Sequence, residues 1–430
     1  MNALKKLFGG NTRQFGMIFA LVALIIFFQI TTNGRTLTPG NVINLFNGNS
    51  YILILAIGMV LVIIAGHIDL SVGSVAAFVG VTVALAIRDW GIPWYAGVLL
   101  GLVLGAVIGA WQGWWTAYVG IPAFIVTLAG MLLFRGFNQF VGKSNTIPVP
   151  SDFQYLGSGY LPEVGPNTGF NNLTLLLGIA AAAFVVWGEL RSRARAKALG
   201  AEVPEMWVTA LKLVLICGAI LYATYLFATG RPGTSFPIPG LILAVMVLVY
   251  GFIASRTILG RHVYAVGGNR HAAELSGVQS KKVNFLVMMN MSILAGLAGM
   301  IFVGRSTASG PFDGVGWELD AIAAVFIGGA AVTGGVGTVV GSIIGGLVMA
   351  VLNNGLQLLG IGADLTQIIK GLVLLIAVAF DVYNKSQGKK SIIGLLMRNV
   401  GGGGRAAGGP SNPLQPDETT STKEAIAREA

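Results

Sequence analysis

Residues 55–78 read LAIGMVLVIIAGHIDLSVGSVAAF, two apolar stretches separated by a short polar one. Each stretch is a little short for a full crossing of a bilayer, which takes about 20 residues of helix. The pattern predicts a helix that is broken near membrane depth, where polar side chains line a water-filled route. A tight turn at the membrane surface is the alternative, and the two interpretations are compatible.

Three polar residues in this break are candidates for the route: His67, Asp69 and Ser71. For Asp69 we favour a cap on the next helix, in which the carboxylate accepts N–H bonds at the helix N-terminus. Two roles stay open for His67, because a neutral imidazole ring donates equally well to a sugar-like hydroxyl and to a neighbouring carbonyl.

The whole chain shares the apolar character of this segment. Hydrophobic residues make up 54% of its 430 residues and charged residues 10%, and the mean hydropathy is +0.77. One water-soluble domain could not bury so much apolar surface, so the sequence predicts an all-α integral membrane protein, a polytopic helix bundle. The predicted spans are twelve apolar runs at 15–31, 51–66, 71–88, 95–118, 122–141, 173–189, 207–227, 239–255, 285–304, 320–337, 338–358 and 363–383.

The formal net charge is +10, and the positions of the basic residues decide its meaning. Most Lys and Arg residues lie before the first run, after the sixth, after the eighth and after the last. These clusters fall on one side if every run crosses once, so the positive-inside rule predicts cytoplasmic termini, and the charge implies no nucleic-acid partner. An even number of crossings follows, but twelve spans and ten spans plus a re-entrant pair fit equally well.

The predicted organisation is simple. Residues 1–14 form a cytoplasmic N-terminus, residues 15–384 a membrane domain, and residues 385–430 a polar cytoplasmic tail that we expect to be mostly disordered. No small-residue cleavage pattern follows the first run, which predicts an uncleaved span. Residues 142–172, rich in Pro, Gly, Ser and Asn, predict an ordered outer loop.

A second segment, residues 257–282, reads TILGRHVYAVGGNRHAAELSGVQSKK and is polar and basic between two apolar runs. A mere connection needs fewer residues, and a helix-like piece from His271 follows a predicted turn at Gly267, Gly268 and Asn269. Its charge places it on the cytoplasmic side. We therefore expect this segment to be a docking surface.

Two series of glycines repeat every four residues, so each predicts one face of a helix. Such faces let helix backbones approach closely inside a membrane, and packing within one subunit is favoured over a dimer seam. The series are Gly101, Gly105, Gly109 and Gly113, and Gly337, Gly341 and Gly345.

Further polar residues lie within or beside the apolar runs. For Glu318 and Asp320, capping of the following helix is favoured over a place at the entrance of a path. Lys370 should point at a carbonyl, water, or a carboxylate such as Asp364. Amides at membrane depth bond other helices or exchange hydrogen bonds with a polyol. The candidates are Asn138, Gln139, Asn353, Asn354 and Gln357.

Nothing in the sequence predicts bond chemistry. Three His, one Cys and no paired carboxylates at catalytic spacing in a water-accessible region leave no basis for an enzyme or a metal site. The segment Gly142-Lys143-Ser144 lacks the earlier glycine of a phosphate-binding loop, because Phe137 stands there. No cofactor is therefore expected in this chain. A secondary transporter driven by an ion gradient is one possible function, and it predicts paired intramembrane acids or basic residues.

Three motifs, in this order, resemble the membrane permease subunits of ABC sugar importers of the ribose/xylose type. They are GHIDLSVGS at 66–74, the segment at 257–282, and GVGWELDAIAAVFIGGAAVTGGVGTVVGSIIGG at 314–346. The resemblance covers most of residues 15–384. The length and His67 are closer to xylose or multiple-monosaccharide permeases than to the shorter ribose permeases. Residues 173–227 look like a helix pair inserted into a ten-span core.

The resemblance implies partners as well as a fold. Two permease copies form a pore, a separate cytoplasmic ATPase with two nucleotide-binding halves holds Mg-ATP, and a periplasmic binding protein delivers the sugar. Residues 257–282 are similar to the family's coupling segment, which places a short helix in a groove of the ATPase. The coupling residues implied are Gly260, Arg261, Gly267, Gly268, Asn269, Arg270, Ala272, Ala273 and Gly277.

Overall fold

The computed structural model describes residues 12–201, 203, 205–230 and 234–386. The chain divides into two units, residues 1–381 and 382–430, and the described part of the second is only the end of the last helix. The expected N-terminal segment at 1–14 and the expected tail at 385–430 lie almost wholly outside the described residues.

The described part of the chain is a helix bundle, as the sequence predicts. Its helices are α1 (Thr12–Thr31), α2 (Pro39–Ile64), α3 (Val72–Trp90), α4 (Trp94–Trp114), α5 (Ala123–Val141), α6 (Ser151–Ser158), α7 (Asn172–Ala198), α8 (Met206–Ala228), α9 (Ile238–Arg256), α10 (Ile258–Gly268), α11 (Arg270–Leu275), α12 (Ser280–Ser306), α13 (Trp317–Ile327), α14 (Val339–Leu358) and α15 (Ala363–Ser386). A π-helical turn, Trp115–Val119, continues α4. Two short strands, β1 (Ile147–Pro148) and β2 (Ala308–Ser309), pair antiparallel.

Among the described residues, nine helices are long and apolar enough to cross a membrane, with α4 and its π-helical turn taken as one. The centre of the bundle is built on α2 and α12. Every position of α2 from Ile52 to Ile64 is buried, and α12 packs against α2, α3 and α4. A helix that is apolar on all sides has to be shielded from water by other helices or by lipid, and here other helices enclose α2.

Glycines bring α4 against α12. A Cβ on Gly105 would lie 2.6 Å from the carbonyl oxygen of Ser292, and a Cβ on Gly109 would lie 2.6 Å from Cα of Met289. No side chain fits at such distances, so the two backbones touch directly. This glycine face therefore packs within one subunit.

The second glycine series is only partly helical, so its prediction as one helix face was wrong at Gly337. Gly341 and Gly345 lie on α14, and a Cβ on Gly341 would lie 2.3 Å from the carbonyl oxygen of Gly328. Gly337 precedes the helix, because Thr338 is the N-cap residue and its hydroxyl accepts the N–H of Gly341 at 3.0 Å.

The predicted span at 320–337 is a half-helix followed by irregular backbone. The 11 residues of α13 extend about 16 Å at 1.5 Å per residue, which is too short to cross a bilayer. Residues 328–338 are irregular, with positive φ at Gly329, Gly334 and Gly335. Ala330 and Ala331 in this stretch are buried. Val332 and Val336 in the same stretch are exposed, so the protein encloses only part of this irregular backbone.

The helix pair at α7 and α8 is peripheral. The two helices meet at Gly178, where a Cβ would lie 2.0 Å from Oγ1 of Thr224. Large apolar side chains elsewhere on the pair are exposed, among them Leu176, Phe184 and Val214. Residues 142–172 carry β1 and α6 and pack against the core through Gly157, where a Cβ would lie 2.1 Å from the carbonyl oxygen of Ile301.

Candidate functional site

The basic segment at 257–282 folds into two short helices, each started by a side-chain cap. The hydroxyl of Thr257 accepts the N–H of Gly260 at 3.2 Å and starts α10. The side chain of Asn269 accepts the N–H of Ala272 at 3.0 Å and starts α11. The predicted turn is therefore narrower than expected: α10 continues through Gly268, and only Asn269 leaves the helical conformation.

The residues implied for coupling divide into an inward and an outward group. Gly260 and Ala273 are buried, and Gly267 is half-buried. A Cβ on Gly260 would lie 2.3 Å from the carbonyl oxygen of Ile253, so this glycine seats α10 on the end of α9. The outward group is exposed and forms what we call the α10–α11 surface: Arg261, Gly268, Asn269, Arg270, Ala272 and Gly277.

A small polar network fixes α11 to the start of α12. Glu274 accepts a hydrogen bond from the hydroxyl of Ser280 and pairs with Arg270 at 3.0 Å. The Ser280 hydroxyl, followed by Arg270, holds the pKa of the Glu274 carboxyl below its usual value. Glu274 is therefore ionised at neutral pH, and the pair joins the surface to the first turn of α12.

Four glycines connect this surface to the spans, and we call them the glycine junction: Gly66, Gly267, Gly334 and Gly335. A Cβ on Gly267 would lie 1.6 Å from the carbonyl oxygen of Ile64 and 2.8 Å from the N of Gly335. The N–H of Gly335 donates to that Ile64 carbonyl at 2.8 Å. The junction thus joins the C-terminal ends of α2 and α10 to the irregular stretch between α13 and α14.

Backbone conformation and one side chain complete the junction. Gly66, Gly334 and Gly335 all have positive φ, between 72° and 85°, a region that favours glycine. The hydroxyl of Tyr264 on α10 donates to the carbonyl oxygen of Gly337 at 2.8 Å. The helix α10 is therefore attached to the break after α2 and to the irregular stretch at 328–338, through the backbone of Gly267 and the hydroxyl of Tyr264.

The break after α2 carries a buried polar group. Asp69 is fully buried, and its Oδ1 accepts the N–H of Ser71 at 2.8 Å and the Ser71 hydroxyl at 2.7 Å. The amide of Gln112 on α4 donates to the Ser71 hydroxyl at 2.8 Å. Ser71, and not Asp69, is the N-cap residue of α3. Asp69 therefore fixes the turn that precedes the helix, and its Oδ2 has no hydrogen-bond partner among the described residues.

A cavity of about 440 Å³ opens beside this break. Its wall includes His67, the π-helical turn, the start of α5 and Asn284 on α12, and Arg270 and Lys281 also line it. Sequence reasoning missed Gln112, Thr116 and Asn284. Their signal was weak, since each is one polar residue in an apolar run, where helix-to-helix bonding is the ordinary role.

The other predicted path residues do not gather at this break. Asn138 is buried near the far end of α5 and donates to the carbonyl oxygens of Gly310 and Pro311 at 3.2 and 3.1 Å. Asn354 exchanges hydrogen bonds with Asn41 at 2.8 and 2.9 Å, which ties α14 to α2. The remaining amides differ in exposure: Gln139 and Asn353 are half-buried and Gln357 is exposed.

Two acid–base pairs lie at the start of α13. Lys370 pairs with Asp320 at 2.5 Å and not with Asp364, and both paired side chains are mostly buried. Glu318 is buried, and its Oε1 lies 3.9 Å from Nη2 of Arg135. The other oxygen, Oε2 of Glu318, lies against α3, because a Cβ added to Gly73 would be 2.8 Å from it. These acids therefore contact α3, α5 and α15 and do not lie free at an entrance.

We expect Lys370→Leu to destabilise the protein by about 3 kcal/mol, because it leaves the Asp320 carboxylate largely buried and unpaired. Thermal unfolding of the purified variant in detergent should show a Tm several degrees below that of the wild type. The double variant Asp320→Leu with Lys370→Leu should recover most of the loss. An unchanged Tm in Lys370→Leu would show that the pair does not form.

Comparison with known proteins agrees with this architecture. The family described as "Branched-chain amino acid transport system / permease component" matches residues 41–378. The xylose transport system permease protein of Haemophilus influenzae is 39% identical over 383 residues, 89% of this chain and 99% of that protein. The xylose transport system permease protein of Escherichia coli K12 is 39% identical, over 87% of this chain and 93% of its own length.

A ribose relative extends the comparison. The ribose import permease protein of Escherichia coli K12 is 35% identical over 370 residues, 86% of this chain and 94% of that protein. No solved structure gives a significant match.

A bundle of membrane-length helices, matched to permease proteins over most of its length, defines a multi-pass membrane permease, a transport subunit and not an enzyme. The chain belongs to the permease-component family named above. Within its described residues, no group of three or more His, Cys, Asp or Glu side chains could hold a metal ion.

Proposed function

We propose that this chain is the membrane-spanning subunit of an ATP-driven ABC importer for a monosaccharide, either a xylose-like pentose or several aldoses. Two copies form the pore in the bacterial inner membrane, with both termini in the cytoplasm. A cytoplasmic ATPase with two nucleotide-binding halves holds Mg-ATP, and a periplasmic binding protein delivers the sugar. The 39% identity to a xylose transport system permease over 99% of that protein supports the substrate class.

The observation that carries the mechanism is the glycine junction. In this proposal the α10–α11 surface receives the ATPase, and Arg261 and Arg270 face its acidic side chains. Gly267 then has a different task from the exposed residues of this surface, because its backbone contacts Ile64 and Gly335. A push on α10 therefore reaches the end of α2 and the stretch before α14 through main-chain contacts, with no flexible side chain between them.

The route itself lies beside the break after α2, where His67 lines the cavity. Asp69 and Ser71 stay proposed lining residues, although both are fully buried in this structure. The amides Asn138, Gln139, Asn353, Asn354 and Gln357 remain secondary candidates, since the described contacts of Asn138 and Asn354 join elements of the bundle. Weak contacts suit a permease, because a site that held the sugar tightly would slow its release. Selection of the sugar is then mostly the task of the binding protein.

An ion-gradient-driven secondary transporter is the second candidate function. The pairs Asp320–Lys370 and Glu318–Arg135 favour it, because charged residues inside a membrane bundle can relay protons. In the ATP-driven proposal the same pairs are structural contacts that hold the start of α13. The energy source of uptake separates the two functions.

Uptake into proteoliposomes tests the proposal. The permease is reconstituted with an ABC ATPase and a sugar-binding protein from the same organism, and the accumulation of radiolabelled D-xylose is measured. We expect accumulation that requires hydrolysable ATP and the binding protein and that survives collapse of ion gradients by ionophores. Accumulation driven by a proton or sodium gradient without ATP would establish the secondary transporter instead.

A further inference from the structure

The peripheral helix pair formed by α7 and α8 is fastened to the rest of the bundle where α7 begins and α8 ends. The hydroxyl of Thr174 accepts the N–H of Phe236 at 3.2 Å. The ring of Phe227 packs edge-on against the ring of Phe46 on α2, with centroids 5.2 Å apart. We call this the fastened end of the pair. The opposite end, where α7 ends and α8 begins, carries a cluster of basic residues, and we call it the basic end.

The second half of α7 is largely uncovered. The buried residues of this helix all lie in its first half: Thr174, Gly178 and Ala182. Large apolar side chains farther along the helix are exposed: Phe184, Trp187 and Leu190. Apolar surface of this extent has to lie against lipid or against another protein.

One face of α7 changes from apolar to aromatic to basic along its length. The rings of Phe184 and Trp187 have centroids 5.8 Å apart, and the guanidinium of Arg191 lies over the Trp187 ring, 5.0 Å from its centroid. Arg195 follows one turn later and is exposed. Residues three and four apart share a helix face. The order matches the layers of a bilayer, in which acyl chains give way to an interface rich in tryptophan and then to charged headgroups.

The bases of this face lack a protein counterion. Glu189 pairs with Lys212 on α8 at 2.9 Å, so its charge is already balanced. Within the described ranges, no carboxylate pairs with Arg191, Arg195 or Lys197. Two like charges at positions i and i+4 of a helix destabilise it unless an anion lies between them. Arg191 and Arg195 have this spacing.

Side-chain contacts hold the basic end in a defined shape. Nη1 of Arg193 donates to the hydroxyl of Thr209 at 2.8 Å, which ties α7 to the first turn of α8. The indole N–H of Trp207 donates to the carboxylate of Glu205 at 2.7 Å, and Trp207 is exposed. The remaining acid of the turn, Glu202, lies outside the described residues. The basic end therefore presents a second exposed indole beside the basic cluster.

We propose that the basic end binds an anionic phospholipid, whose phosphate bridges Arg191 and Arg195 and whose acyl chains lie against Phe184 and Trp187. A phosphodiester has several acceptor oxygens and matches the fork of donors on a guanidinium. A zwitterionic lipid carries its own ammonium group, so a lipid with a net negative charge, such as phosphatidylglycerol, is preferred. The lipid fixes the end of the pair that is opposite the fastened end. This proposal needs only a membrane-spanning chain and is independent of the transported solute and the energy source.

Native mass spectrometry of the full-length permease, released from detergent and titrated with lipid, tests the proposal. The wild type should bind phosphatidylglycerol more tightly than phosphatidylcholine of the same acyl chains. Arg191→Gln with Arg195→Gln should lower this preference about 30-fold for the first bound lipid, from about 5-fold for each basic residue at the headgroup layer. Arg191→Lys with Arg195→Lys keeps the charge and should retain most of the preference.

Lys281→Gln with Lys282→Gln is the matched control, because it removes the same charge from another exposed basic pair. Its lipid preference should equal that of the wild type. Equal binding of the two lipids by the wild type, an unchanged preference in the Arg-to-Gln variant, or an equal loss in the control would overturn the proposal. So would displacement of the lipid by soluble glycerol 1-phosphate at the same concentration. Loss of dimers without loss of lipid in the Arg-to-Gln variant would assign this face to a second copy of the chain instead.

Discussion

Gly267→Ala should abolish ATP-driven sugar uptake, whereas Gly268→Ala should leave uptake within about twofold of the wild type. The added Cβ at Gly267 would lie 1.6 Å from the carbonyl oxygen of Ile64, but at Gly268 nothing lies within 4 Å. The first variant must therefore separate α10 from α2 and break the hydrogen bond between Gly335 and Ile64. The measurement is the ratio of sugar transported to ATP hydrolysed in proteoliposomes, alongside the amount of permease in the membrane.

A milder variant keeps this prediction testable if Gly267→Ala fails to accumulate. Tyr264→Phe removes only the hydroxyl that donates to Gly337, and the loss of one hydrogen bond costs about 1 kcal/mol. We expect normal ATPase activity and a transport-to-hydrolysis ratio several-fold lower. Full transport per ATP in both Gly267→Ala and Tyr264→Phe would show that the glycine junction does not carry the coupling.

Gly105→Ala should prevent stable assembly of the bundle. The new Cβ would lie 2.6 Å from the carbonyl oxygen of Ser292 and 3.1 Å from Cα of Ile293, so α4 and α12 must move apart. Overpacking of this kind costs about 1–3 kcal/mol and more where backbone has to shift. Quantified membrane levels and the detergent Tm should both fall sharply, while any assembled fraction should transport at the normal rate per molecule.

The matched control is Gly136→Ala on α5, where a Cβ would meet nothing within 4 Å. A gain of helix propensity of up to about 1 kcal/mol is the expected effect there. A Gly105→Ala protein with the wild-type Tm would mean that α4 and α12 are not in direct backbone contact. In that case the glycine series would be available for another role.

The sequence predicted the membrane fold because apolar runs have a length that the bilayer dictates. It also located the basic segment and the break at His67 and Asp69, since charge and polarity are unusual in such runs. It placed one boundary wrongly at Gly337, because a four-residue glycine repeat does not reveal that Thr338 starts the helix. The run at 320–337 similarly looked continuous, although its glycines adopt positive φ and end α13 at Ile327.

The local sequence pattern could not predict which distant segments come into contact. Nothing in the local sequence indicates that a Cβ on Gly267 would meet Ile64 and Gly335 whereas a Cβ on Gly268 would meet nothing within 4 Å, since both are glycines in one polar segment. The partner of Lys370 was open for the same reason: Asp364 is near in sequence, but Asp320 is near in space. Tertiary packing decided each case.

The half-helix α13 has an electrostatic consequence for the movements that the bundle allows. A helix carries about half a positive charge at its N-terminus, and α13 begins inside the bundle with Glu318 and Asp320 in its first turn. Arg135 and Lys370 balance those two carboxylates. Each of these two contacts joins the start of α13 to a different helix, α5 through Arg135 and α15 through Lys370. A movement that separated α13 from either helix would leave a largely buried carboxylate without its counterion, so the two pairs penalise such a movement.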